Sequence, residues 1–125
     1  MRLALRLAQE TKENIEALKQ VLIESDDYAG LNLTNGFVVN QAYKDTQLLT
    51  EQDRWHEVIK KGNISNNKPL KEKHTDLNVT KNTIDGINEL KTVLHKYFPE
   101  NAYVTTSFAI RIMVRGALLL RNQEI

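Results

Sequence analysis

Two short stretches of this chain alternate apolar residues with polar or small ones, and nearly all the other patterned sequence has a helical period. The first is RLALRLA, from Arg2 to Ala8, with Leu3, Leu5 and Leu7 on one face and Arg2, Ala4 and Arg6 on the other. The second is HTDLNVT, starting at His74, with Leu77 and Val79 on one face and His74, Asp76 and Asn78 on the other. A lone strand leaves its backbone groups unpaired and its leucines uncovered. The two stretches must therefore find each other. The expected result is a two-stranded antiparallel ribbon whose apolar face lies on helices.

The helical segments follow in the same order after each strand. From about Gln9, Ile15, Leu18, Leu22 and Ser25 fall at helical spacing, with Ala17 and Val21 alongside and Glu10 and Glu13 near the start. This helix ends near Ser25, and Gly30 suits a turn. Thr34 or Asn35 caps a second helix with Val38, Val39, Ala42 and Tyr43 on its apolar side. TEQDRWHEVIKKG carries a near capping box, Thr50 with Asp53, and one side formed by Trp55, Val58 and Ile59, before Gly62 ends it. NISNNKPLKEK reads as a polar, basic linker. After the second strand a helix runs through Ile87, Leu90, Val93, Leu94 and Tyr97 to Phe98-Pro99. A last one runs from a Thr105 or Thr106 cap to about Asn122.

The order strand, helix, helix therefore occurs twice. A shift of 72 positions places Leu5 on Leu77, Leu7 on Val79, Thr11 on Thr83, Ile15 on Ile87, Leu18 on Leu90, Lys19 on Lys91 and Leu22 on Leu94. A shift of 71 places Thr34 on Thr105, Phe37 on Phe108 and Val39 on Ile110. The matches are mainly core-facing positions in the same element order. The reading is a mainly α, single-domain protein of 125 residues: a first copy over 2–47, an extra helix and linker over 48–73, and a second copy over 74–122.

Composition narrows the function. The absence of cysteine removes a disulfide framework and thiolate metal sites, and with no signal-peptide pattern the cytoplasm is expected. No apolar run suggests a membrane helix. The formal net charge of +1 neither demands nor excludes nucleic acid. No catalytic set emerges: His56, His74 and His95 are scattered, and there is no HExxH, no glycine-rich phosphate loop and no nucleophile motif. No enzyme activity, cofactor or metal is expected.

RLALRLAQETKENIEALKQVL resembles the strand and first helix of the ribbon-helix-helix superfamily of DNA-binding proteins, the Arc and MetJ type. LTNGFVVNQAYKD and VTTSFAIRIMVRGALLL are similar to its second helix. Two copies in one chain resemble the tandem form of the TraY family, accessory proteins of conjugative relaxosomes. The resemblance implies an intramolecular pseudo-dimer whose ribbon enters the major groove of double-stranded DNA. It implies base contacts from Arg2, Ala4 and Arg6 in the first copy and His74, Asp76 and Asn78 in the second. Arg can fork to guanine, Asn to adenine, and Asp can accept from cytosine, while Ala4 can meet a thymine methyl. Asp76 either faces the DNA or pairs with Arg2 or Arg6 across the ribbon. The resemblance also implies phosphate contacts at the second-helix starts, Thr34-Asn35-Gly36 and Thr105-Thr106-Ser107.

Because the two half-faces differ, the expected target is an asymmetric site or direct repeats. The implied role is to position plasmid DNA for a relaxase or another transfer protein. A transcriptional repressor or a partition protein is the alternative of the same fold. The expected solution form is a monomer, with side-by-side assembly on DNA. The rival of another class is a helical protein-interaction module without DNA binding. For it, Trp55, otherwise an anchor for the extra helix, becomes the protein contact. Arg111, Arg115 and Arg121 read as a solvated or salt-bridging face, and the basic stretch from Lys60 to Lys73 as a backbone contact or a tether.

Overall fold

In the computed structural model the two alternating stretches do pair. Arg2–Leu5 forms β1 and Thr75–Asn78 forms β2, antiparallel, with Leu3 opposite Leu77 and Ala4 opposite Asp76. The structure describes residues 1–25, 28, 32–61, 74–101 and 103–125. The readings of Gly30 as a turn, Gly62 as a helix end and 62–73 as a linker lie outside the described residues. The helices are α1 (Gln9–Glu24), α2 (Asn35–Glu51), α3 (Trp55–Lys61), α4 (Lys81–His95) and α5 (Thr106–Arg121).

Both strands are shorter than their alternation. β1 stops at Leu5, and Leu7 and Ala8 are buried where the chain turns into α1. The ladder gains one more pair at its other end, where the Met1 amino group donates to the Val79 carbonyl and the Val79 N–H returns the bond, each at 2.9 Å. Leu77 and Val79 are fully covered, and Leu3 and Leu5 pack against the same core.

The helices repeat in detail. Thr11, Ile15, Leu18 and Leu22 of α1 are buried, as are Thr83, Ile87, Leu90 and Leu94 of α4. Ala17, expected beside that stripe, is exposed. Thr34 caps α2 by accepting from the Phe37 N–H at 3.1 Å, and Thr105 caps α5 by accepting from Phe108 at the same distance. The two phenylalanines even share an environment: Tyr28 meets Phe37 edge-on with ring centroids 5.5 Å apart, and Phe98 meets Phe108 likewise at 5.4 Å.

The sequence between the copies needs correction. Thr50 and Asp53 do not cap a helix. α2 runs on to Glu51, past the expected boundary of the first copy at residue 47 and through Thr50, and α3 begins only at Trp55. Asp53 sits in the turn with φ +53°, a left-handed conformation that Asp tolerates better than most residues. Thr50 instead accepts the indole N–H of Trp55 at 3.0 Å. α4 ends at His95, before the expected stop at Phe98.

The additional helix breaks the repeat. Nine residues of α5 are buried, more than one apolar stripe requires, because α3 covers a side that the four-helix arrangement leaves open. Trp55 and Val58 of α3 sit over Gly116, where an added Cβ would lie 3.1 Å from the indole and 3.2 Å from Leu49. No helix among the described residues is long and apolar enough to cross a membrane.

Candidate nucleic-acid interface

Period two sends alternate side chains of the ribbon to opposite faces, and one face is open. Arg2, Ala4 and Arg6 are exposed, and so are His74, Asp76 and Asn78. The register sets Arg2 opposite Asn78 and Ala4 opposite Asp76. Arg6 and His74 continue it just beyond the paired residues. The six side chains suggested by the sequence thus share one surface.

The face is not uniformly cationic. Arg2 donates to Asp76 across the strands at 2.7 Å, from side chains 68% and 50% exposed. Of the two expected pairings for Asp76, the one with Arg2 forms. At such exposure the pair contributes at most about 1 kcal/mol, so its main effect is to hold the guanidinium. Arg6 has no ion pair among the described residues. Ala4, between the arginines, gives the middle of the face a low profile.

The start of α2 stands against the end of β2. A Cβ on Gly36 would fall 2.1 Å from the Asn78 carbonyl oxygen, so only glycine allows this approach. One turn further on, the Asn40 side chain accepts the Thr80 backbone N–H at 3.0 Å, which fixes α2 beside the strand. The corresponding residue of α5, Ser107, carries a Cβ, and α5 packs less extensively on β1 than α2 does on β2. At both starts the threonine cap satisfies the third helical N–H. The first two N–H groups, at Asn35 and Gly36 and at Thr106 and Ser107, have no intrahelical acceptor. Such groups, with the helix dipole behind them, attract anions.

Sequence reasoning missed two lysines at these starts. Lys19 of α1 donates to the Asn35 side chain at 3.0 Å, and Lys91 of α4 donates to the Thr106 hydroxyl at 3.3 Å. A signal existed: Lys19 and Lys91 are the one charged identity in the 72-residue repeat. A cation placed at the positive end of a helix is unfavourable unless an anion joins it.

Two other expectations change. Arg111 is not on a solvated face: it is buried and pairs with Glu10, which also takes Arg115 at 2.5 Å. Arg121 pairs with Asp45 at 2.6 Å. These arginines tie α5 to α1 and α2, which is the salt-bridging reading. Trp55 is 1% exposed, so it is an internal anchor and offers no surface for a protein contact. His95 bonds its own loop, with Nε2 donating to the Asn101 carbonyl oxygen at 2.9 Å. Among the described residues no His, Cys, Asp and Glu cluster could hold a metal ion.

Compared with models of protein families, with curated proteins and with solved structures, the chain matches none.

Proposed function

We propose that this protein binds double-stranded DNA sequence-specifically, as a tandem ribbon-helix-helix pseudo-dimer that lays β1 and β2 in the major groove. The observation that carries the reading is the open ribbon face. Its six side chains are exposed together while the opposite face is sealed by helices. Arginine and asparagine on such a face have the hydrogen-bonding pattern to read guanine and adenine edges. The repeat of caps, ring pairs and buried positions supports two equivalent copies in one chain. The helix starts, each with a lysine, are suited to phosphates.

Because one half-face offers Arg2 and Arg6 and the other His74, Asp76 and Asn78, the target is an asymmetric site or a set of direct repeats. The tandem architecture favours a cytoplasmic accessory role in plasmid transfer, acting beside a relaxase, over a repressor or a partition protein. The test is selection from a random duplex pool at near-physiological salt, where phosphate binding alone is weakened. Enrichment of a short asymmetric sequence is expected. A folded protein that enriches nothing would favour the interaction-module reading. That reading would then rest on Leu48, which is 57% exposed beside Arg54 and Arg121.

A further inference from the structure

The repeat builds one seat that is filled and a counterpart that is open. The filled seat receives α3: Trp55 and Val58 pack on Gly116 beside Leu49, and Thr50 accepts the indole N–H at 3.0 Å. The 71-residue shift matches Gly116 with Asp45, Leu49 with Leu120 and Thr50 with Arg121. Those three counterparts also come together. With Leu48 and Arg54 they line a hollow of about 260 Å³. Where the first seat has a glycine and a hydroxyl to receive the indole, this one has a carboxylate and a guanidinium bonded to each other at 2.6 Å. Among the described residues no further helix lines it. α3 occupies the first seat with Trp55 buried, and the residues after α5 reach α3 instead, where Lys61 donates to the Glu124 carbonyl.

Size, apolar surface and charge define what fits. At about 260 Å³ the hollow is smaller than the roughly 300–1,000 Å³ of small-molecule sites, so it suits an anchoring side chain. Half-buried Leu120 and exposed Leu48 give it apolar surface. Its charged lining holds two guanidiniums and one carboxylate, which favours an acidic partner over a basic one. Arg54 already takes a carboxylate presented by a helix, Glu57 of α3, two positions from the Trp55 anchor. The filled seat shows the form of the occupant: a helix of seven residues with one large apolar anchor. A second copy of the chain does not offer this. Its other exposed large apolar residues among those described, Met1 and Tyr103, both lie outside the helices.

We propose that the Leu48 hollow docks a short amphipathic helix of another protein, one that carries a large apolar anchor with a carboxylate within a turn of it. Leu48 lies about 18 Å along α2 from Gly36 by the helical rise, and Gly36 is the residue that touches the ribbon. A helix in the hollow therefore leaves the open ribbon face clear. Docking goes beyond DNA binding and does not depend on it.

The test selects binders of the intact chain from a library of alanine-based helical peptides with one face randomised. Affinities of the enriched peptides are then measured for the wild type, Leu48→Ser and Arg54→Gln, each confirmed as folded by circular dichroism. The enriched peptides are expected to share an aromatic or leucine anchor with Asp or Glu three or four positions away. Leu48→Ser is expected to weaken them about tenfold, as loss of a central anchor contact does, and Arg54→Gln several-fold. No enrichment, basic residues flanking the anchor, or equal affinity for the wild type and Leu48→Ser would overturn the proposal. Self-association of the wild type that Leu48→Ser abolishes, read by sedimentation, would overturn it in favour of a second copy. The duplex selection is a separate readout, so failure of docking and failure of DNA binding are told apart.

Discussion

Asp76 sets the charge of the open ribbon face while adding little to the stability of the fold. It holds Arg2 and places a negative charge in the middle of the ribbon face. Replacing it with Asn should leave the melting temperature nearly unchanged, because both partners are exposed. The same change should raise affinity for mixed-sequence duplex and narrow the gap between target and random DNA. Competition binding reads this directly, and a variant with unchanged affinity and discrimination would mean that Asp76 lies away from the DNA. Gly36 is the opposite case. Gly36→Ala drives a methyl group into the Asn78 backbone, so α2 must shift or β2 must bend. A cost of about 1–3 kcal/mol is expected from such overpacking, read as a lower urea midpoint. The exposed residues of the ribbon were legible from period two alone. The lysine contacts were not, because they join elements whose relative placement the local pattern does not contain.

At the scale of elements, the repeat supplies the core while ion pairs supply the pairing of unlike copies. Glu10 of α1 reaches Arg111 and Arg115 of α5. The repeat counterparts of Glu10, Arg111 and Arg115 are Asn82, Asn40 and Lys44, so the pseudo-symmetric contact has no carboxylate to form such a cluster. Glu10→Ala removes the carboxylate that the Arg111 and Arg115 guanidiniums share. A loss of about 3–5 kcal/mol is expected, and a loss under about 1 kcal/mol, the surface range, would show that the cluster does not hold α1 to α5.

At the junction of α2, α3 and α4, one phenol couples to the fold. Burial, followed by the nearby Asp53 carboxylate and the hydrogen bond to it, pushes the Tyr97 phenol above its ordinary value. The fold therefore favours the protonated phenol. Its contribution is complete below the ordinary phenol pKa of about 10 and is lost as pH rises through the raised value. Tyr97→Phe should flatten the alkaline limb of melting temperature against pH, and an unaltered limb would count against this assignment. At the same junction, the Arg54 hydrogen bond holds the Glu57 carboxyl below its usual range. Its contribution is present above the ordinary carboxylate pKa and fades as pH falls through the lowered one.

In the molecule as a whole, strand pairing, helix order and most core positions were readable because they follow from two periods and a repeat. The α2–α3 boundary was not. Thr50 has the chemistry of a cap, but α2 continues through it and the indole of Trp55 takes its hydroxyl. Trp55 itself was ambiguous until the cover over Gly116 was seen, since helical spacing marks a face without saying what lies against it. The result is a two-stranded ribbon paired within one chain, one face buried by helices and the other left open.

The most direct test of that open face is a comparison of the wild type with the Arg2→Ala, Arg6→Ala double variant on the sequence enriched from the random pool and on a scrambled duplex of equal length. Both positions are exposed, so the variant should keep the wild-type circular dichroism and melting behaviour. The account predicts that its preference for the enriched sequence disappears while weak, salt-sensitive binding remains. Equal preference by both proteins would contradict insertion of the ribbon into the groove.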